Sequence, residues 1–288
     1  MLAARLAWND GAMQRLLKRF ATFLALTALV GLVGCSSLTL AYNQFPLLAG
    51  LWANTYLDLD SPQRSQLKTQ LQALQAWHRR EEMPQWQGLL RQAQASFDDG
   101  KVTPDELQVL ERNARASMER ILQHGAPLAA PVLASLRPEQ WQHLQKKMDE
   151  KNVEWREKNT GSDGADERAK RYTTNLERWL GDLDRPTRKQ ARADAQGWTF
   201  DLPTMAQART ARQARVTDAL HAWARQDLAG GTALLVQTLQ PLPSEQAYRD
   251  QIMASVQKLL NDMNPQQREQ VRKHWGDWAA ELRALQQG

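Results

Sequence analysis

Residues 61–80 read SPQRSQLKTQLQALQAWHRR, and this stretch decides the fold class. Pro62 follows a serine and precedes polar residues, which is the chemistry of a helix start. Proline's fixed φ suits the first turn, where its missing N–H has no intrahelical partner, and a short hydroxyl before it can accept from the free backbone donors. Leu67, Leu71, Leu74 and Trp77 then recur at spacings of three and four and form one apolar stripe.

The same opening returns along the chain as Thr103-Pro104-Asp105-Glu106, Arg137-Pro138-Glu139-Gln140 and Asn264-Pro265-Gln266-Gln267, and Arg185-Pro186 has Asp184 before it as the capping side chain. Trp141, Leu144 and Met148 make a second stripe, and Val271, Trp275 and Trp278 a third. Ile121 and Ile252 are the only isoleucines in a chain dominated by Ala, Leu, Gln, Glu and Arg, a composition that favours helices over strands. The expected fold is all-α, a multi-helix bundle or array of antiparallel amphipathic helices. Helices are predicted near 37–57 (interrupted at Pro46), 62–80, 84–97, 104–123, 127–135, 138–159, 166–181, 186–197, 204–229, 232–239, 244–262 and 265–286. The polar, glycine-rich run Asn159–Gly164 reads as a linker between an N-terminal helical half, 35–160, and a C-terminal half, 161–288, with one continuous domain as the alternative. Unequal spacing of the helix starts gives no support to a strict repeat.

The 288 residues carry a formal net charge of +5 and one cysteine, Cys35. A single cysteine excludes an intramolecular disulfide, a CxxC pair and a cysteine-rich zinc site. Its position gives it another meaning. Residues 21–34, ATFLALTALVGLVG, are uncharged and follow Arg15, Lys18 and Arg19, so residues 1–34 read as a secretory signal whose apolar core is too short to span a bilayer comfortably. Met13 opens a compact version of the same signal and is an alternative start. Within the first 34 residues Arg5, Arg15, Lys18 and Arg19 stand against Asp10, so the remainder carries only +2. That balance offers no electrostatic footprint for nucleic acid.

Leu32-Val33-Gly34-Cys35 resembles the lipobox of bacterial lipoproteins, in which the small residue, here Gly34, precedes the cut and the cysteine, here Cys35, is acylated. The resemblance implies a covalent lipid on Cys35 (palmitate among its chains), cleavage between Gly34 and Cys35, and, because Ser36 rather than Asp follows, a periplasm-facing place at the outer membrane. No other cofactor is expected.

His78-Arg79-Arg80-Glu81-Glu82 is the densest polar cluster. His78 and Glu82, four residues apart, share a helix face and could act as an acid–base pair in a cleft. The alternative is a solvated ion-pair network at a helix end. Arg209, Arg212 and Arg215 form a basic strip suited either to anionic head groups and peptidoglycan carboxylates or to plain solvation, with Asp218 and Asp227 on the same predicted helix. The histidines at 124, 143, 221 and 274 stand singly, with no HExxH spacing, so no metal site is expected. Neither a GxSxG, a P-loop nor a GxGxxG is present, and no catalytic residue is assigned.

Ala41-Tyr42-Asn43, Tyr56-Leu57-Asp58-Leu59-Asp60 and Ala76-Trp77-His78-Arg79-Arg80 with Pro84, following the lipobox, resemble an uncharacterised family of helical proteobacterial lipoproteins. That resemblance implies a lipoprotein without an assigned activity. Leu136-Arg137-Pro138-Glu139-Gln140 and Met263-Asn264-Pro265-Gln266-Gln267 are also similar to the Leu-Thr-x-x-Gln signature of small periplasmic chaperones of the Spy and CpxP type, although Arg137 and Asn264 replace the threonine. The leading expectation is a non-enzymatic, lipid-anchored envelope protein that presents an interaction surface to envelope proteins or peptidoglycan. A holdase-like chaperone and a cell-wall lyase or hydrolase using a glutamate such as Glu82 are the alternatives.

Overall fold

The computed structural model describes residues 37–287, so the signal segment and the expected lipidation site, Gly34 and Cys35, lie outside the described residues. Among the described residues every regular element is helical. The chain divides into two units, and the described residues of the first form one short helix, α1 (Ser37–Asn43).

The second unit begins at Phe45 and contains α2 (Phe45–Leu57), α3 (Ser61–Trp77), α4 (Met83–Asp98), α5 (Pro104–Ala134), α6 (Pro138–Glu157) and α7 (Gly161–Leu180). It continues through α8 (Arg185–Gln196), α9 (Leu202–Ala224), α10 (Leu228–Thr238), α11 (Pro243–Asp262) and α12 (Pro265–Gln287).

The proline-marked starts are helix N-termini, with capping geometry that the sequence only partly specifies. Thr103 Oγ1 accepts from the Glu106 N–H at 3.3 Å, and the Asp184 and Asn264 side chains cap α8 and α12 in the same way. At α3 the cap is Asp60 rather than Ser61: its Oδ1 accepts from Gln63 N at 3.0 Å while Gln63 Oε1 accepts from Asp60 N. This is a reciprocal capping box.

Three boundaries differ from the sequence expectation. A break was expected between 123 and 127, yet α5 runs through Pro127 and Pro131. Both prolines are exposed, so the backbone bonds they cannot make fall on the solvent side, while Ala126, Ala130 and Leu133 hold the other face in the core. The expected helix 204–229 is two, because Gln226 takes φ +66° and Asp227 caps α10 through Gly230 N at 2.9 Å. The expected linker is ordered as the first turn of α7. There a Cβ on Gly164 would lie 2.3 Å from the Asn159 carbonyl carbon, so glycine is required by close approach of the backbone.

Two apolar clusters hold the unit together. One joins Phe97 and Val102 to Tyr172, Leu176, Leu180, Leu260, Val271 and Trp275, so residues from before and after position 160 share a core. The other joins Ala126, Ala130 and Leu133 of α5 to Ala219 and Trp223 of α9 and Leu235 of α10. Burying each large side chain contributes roughly 1.5–3 kcal/mol. The third predicted stripe is deeply buried at Val271 and Trp275, whereas Leu67, Leu71, Leu74 and Trp77 of α3 are half-buried. Packing is not limited to sequence neighbours: α5 lies against α9 and α10, and α12 returns to α4.

Candidate functional site

The cluster at 78–82 forms a single π-helical turn that joins α3 to α4. The Met83 N–H donates to the His78 carbonyl, five residues back, and Pro84, which has no N–H to donate, falls in the first turn after the change of register. The extra residue rotates Glu82 inward until it is 2% exposed. Its Oε1 accepts from Arg120 Nε at 2.6 Å, and its Oε2 accepts from Arg120 Nη2 at 3.0 Å and from the fully buried Ser117 Oγ at 2.6 Å.

Burial raises the Glu82 pKa, but the Arg120 and Ser117 hydrogen bonds and the Arg120 charge outweigh it and hold the carboxyl below its ordinary range. A side chain that stays ionised and is engaged through both oxygens is the reverse of a poised general acid. His78 is half-buried, and burial lowers its pKa against the opposing pull of Glu82. Arg80 and Glu81 are exposed and pair with each other at 3.5 Å, while Arg79 is half-buried. The turn therefore separates the five residues between core and solvent.

The remaining histidines lie mostly against tryptophans. His124 stacks on Trp77 at 4.1 Å between ring centroids, His221 on Trp141 at 3.9 Å, and His274 lies 4.9 Å from Trp278. His143 instead approaches the Thr55 carbonyl, at 3.2 Å. Among the described residues no three His, Cys, Asp or Glu side chains group as a metal site.

The basic strip leads to a more distinctive feature. Arg209 and Arg212 of α9 reach a groove that is also lined by Trp155 and Asn159 at the end of α6, Arg168 and Arg171 of α7, Phe200 in the α8–α9 loop, and Tyr248 and Arg249 of α11. Arg215 is not among its lining residues. The groove has a cavity of about 420 Å³. It shares Arg168, Arg171, Tyr248 and Ile252 with an adjoining cavity of about 360 Å³ whose further walls include Tyr172, Leu176, Leu180, Trp198 and Val256. Both volumes fall within the range of ordinary ligand pockets, roughly 300–1,000 Å³.

Aromatic rings line this double cavity in a continuous series. Trp155 lies 6.2 Å from Phe200, Phe200 lies 5.2 Å from Tyr248, Tyr248 lies 5.9 Å from Trp198, and Trp198 lies 4.7 Å from Tyr172. The last three pairs meet edge to face, a geometry that stabilises each beyond its area burial. The α8–α9 loop is fixed on α11 by Trp198 Nε1 donating to Ser255 Oγ at 3.2 Å and Thr199 N donating to Gln251 Oε1 at 2.9 Å.

The charge of the groove is one-sided. Five arginines line it with Glu245 as the sole lining carboxylate. Arg212 pairs with Glu245, and Arg249 pairs with Glu111 outside the groove. Arg168, Arg171 and Arg209 have no carboxylate within ion-pair distance among the described residues. Their partners are neutral: Arg168 Nη1 donates to Asn159 O at 3.2 Å, Arg171 Nη2 to Asn159 Oδ1 at 2.8 Å, and Arg209 Nε to Asn152 Oδ1 at 2.7 Å. The Arg168 guanidinium carbon also lies 4.0 Å from the Phe200 ring centroid and that of Arg209 5.7 Å from Trp155. Burial lowers the pKa values of Arg168 and Arg209, against an opposing pull from Tyr248 and Tyr56 respectively and with a smaller contribution from a neighbouring arginine in the same direction as burial.

Residues 55–242 match a family model whose description is a family of unknown function. The chain belongs to DUF6279. The matched region runs from the end of α2 through α10 and so includes the α6, α7 and α9 walls of the groove in this DUF6279 protein, while Tyr248, Arg249 and Ile252 lie beyond it. No curated protein and no solved structure matches the DUF6279 chain.

Arg168, Arg171, Trp198, Phe200 and Tyr248 were not singled out from the sequence. The signal present was arginine and aromatic residues recurring together on either side of 160, but only the tertiary fold places them in one groove.

Proposed function

We propose that this DUF6279 protein is a lipid-anchored, periplasm-facing envelope component that acts by non-enzymatic binding. The observation that carries the reading is the apolar outer face of α2, close in sequence to Cys35. Leu47, Leu48, Leu51 and Trp52 are 51–66% exposed, and residues 20–57 contain no charged side chain. Exposed apolar helix faces mark interaction sites, and tryptophan and tyrosine favour the membrane–water interface. Trp52 and Tyr56 lie 4.9 Å apart on this helix. Phe45 is the tenth residue after Cys35, a tether that fully extended spans at most about 35 Å. Acyl chains on Cys35 therefore keep α2 within reach of the lipid surface. Among the described residues no helix is long and apolar enough to cross a membrane. The outer membrane remains the proposed destination because Ser36, not Asp, follows the cysteine.

The binding half of the proposal is supported by the arginine–aromatic groove and by the complete engagement of the Glu82 carboxylate. Expression of the full chain with an alkyne-bearing fatty acid in a bacterium with two membranes tests the anchor. Labelled protein should fractionate with the outer membrane, and Cys35→Ala should abolish the label. Persistent labelling of the Cys35→Ala chain, or an unlabelled native chain, would reject it.

A further inference from the structure

We infer that the double cavity between α6, α7, α9 and α11 binds an amphiphile with a phosphate monoester head and a single apolar chain. This inference rests on the reading of the chain as a membrane-proximal binding protein. The mouth supplies the charge: Arg168, Arg171 and Arg209 converge on one groove and are held by amide and carbonyl oxygens rather than by carboxylates. A guanidinium presents a planar fork of donors that suits phosphate, and three uncompensated cations match a group carrying about −1.5 to −2 better than a carboxylate carrying one charge.

The adjoining cavity supplies the apolar half. Beyond the shared arginines it is walled by Leu176, Leu180, Ile252, Val256 and Trp198, with no carboxylate among its lining residues. Tyr172 contributes a buried hydroxyl that has no hydrogen-bond partner among the described residues, and a buried donor of this kind gains from a ligand oxygen. The two compartments meet at Arg168, Arg171, Tyr248 and Ile252, so one ligand can place its head under the arginines and its chain along α7 and α11. Tyr248 stands at this junction, and burial raises its pKa against the pull of the neighbouring arginines, so its hydroxyl remains a donor at neutral pH.

Calorimetric titration of the full-length chain in nanodiscs of neutral phosphatidylcholine, corrected with empty nanodiscs, tests the inference. The probes are hexyl phosphate, inorganic phosphate, hexanoate and pentaglutamate. Hexyl phosphate should fill one site at least about tenfold more tightly than the other three, and its affinity should fall as salt is raised. Arg168→Gln combined with Arg209→Gln should weaken hexyl phosphate about tenfold or more with an unchanged helical circular dichroism spectrum. If that variant does not fold, a diazirine derivative of hexyl phosphate on the native chain decides, and it should label peptides of α7 and α11. Equal affinity for inorganic phosphate or hexanoate, tighter binding of pentaglutamate, no binding, or labelling outside the groove would each overturn the assignment. An unacylated chain that still binds hexyl phosphate would refute the anchor and leave the groove, whereas an acylated chain that binds only pentaglutamate would refute the lipid and leave the anchor.

Discussion

Gln63 and Gln140 exchange side-chain hydrogen bonds across the N-termini of α3 and α6: Gln63 Nε2 donates to Gln140 Oε1 at 3.2 Å, and Gln140 Nε2 donates to Gln63 Oε1 at 2.8 Å. Each oxygen also closes its own helix start, accepting from Asp60 N or Arg137 N at 3.0 Å. Gln63 donates further to Ser135 O, and Gln140 to Leu57 O and Asp58 O, where Asp58 takes φ +46°. The pair therefore pins the α2–α3 turn to the α5–α6 turn. Gln140→Ala should cost about 1–3 kcal/mol, because it removes the exchange with Gln63 and leaves the Leu57 and Asp58 carbonyls and the Arg137 N–H without these partners. Combining it with Gln63→Ala should cost less than the sum of the two, since both changes remove the same bonds. Urea unfolding of the four chains measures this, and strict additivity would contradict it.

What the sequence made legible here was the helix start. Proline followed by polar residues located the N-termini of α3, α5, α6, α8 and α12, because that chemistry is local. The second role of Gln140 was not legible: its position in a helix-opening motif said nothing of a partner 77 residues away. The groove was hidden for the same reason. Arg209 and Arg212 were visible as a strip, but their neighbours Arg168, Phe200 and Tyr248 come from three other segments. Glu82 was visible in a cluster, whereas its burial depends on a π-helical turn that helical periodicity does not encode. Asp227 was read as part of a helix face because a capping side chain and a surface carboxylate look alike until the Gln226 backbone is known.

Glu82 and His78 should give the fold a two-step acid sensitivity. His78 has a folded pKa below its ordinary 6.5, so its neutral form is favoured by folding and stability is lost as pH falls through 6.5 toward the folded value. Glu82 has a folded pKa below its ordinary 4.5, so its contribution is present above 4.5 and is lost as pH falls through the folded value. Unfolding midpoints measured from pH 8 to pH 3 should decline in both windows. His78→Gln should flatten the upper step and Glu82→Gln the lower. Steps that persist in these variants would assign the acid response elsewhere.

Arg120→Ala should destabilise the protein at neutral pH by about 2 kcal/mol, below the 3–5 kcal/mol typical of a fully buried broken pair. The discount follows from Arg120 itself, whose side chain is 42% exposed, so solvent screens part of its charge. Much of the loss should come from the stranded Glu82 carboxylate. Adding Glu82→Gln to Arg120→Ala should therefore recover stability, and a double variant no more stable than Arg120→Ala would oppose that account.

The outer face of α2 predicts a separation of binding from stability. Leu48 and Trp52 are 51% and 66% exposed, so replacing both by serine should change the unfolding free energy by less than about 0.5 kcal/mol per site. The same replacement should remove labelling of residues 45–57 by a photoactivatable phospholipid in vesicles carrying the native chain. Label that is absent from α2 in the native chain, or unchanged in the variant, would show that this face does not meet lipid.

Two helical glycines should respond to alanine with opposite signs. Gly231 lies where α10 meets α9: a Cβ there would sit 2.4 Å from Trp223 Cδ1 and 2.7 Å from the Ala219 carbonyl oxygen. Trp223 cannot yield freely, because its Nε1 donates to Leu228 O at 3.2 Å and to Thr232 Oγ1 at 3.3 Å and its ring is part of the core formed with α5 and α10. Gly231→Ala should therefore separate the two helices and cost about 1–3 kcal/mol, the usual range for overpacking. Gly276 is exposed on α12, and a Cβ there would meet nothing within 4 Å. Gly276→Ala should stabilise the chain by about 0.4–1 kcal/mol, since alanine restricts the unfolded backbone and favours the helix. Parallel thermal and urea unfolding of the two variants reads the signs directly. A neutral Gly231→Ala would mean that α9 and α10 do not approach as closely as the backbone places them.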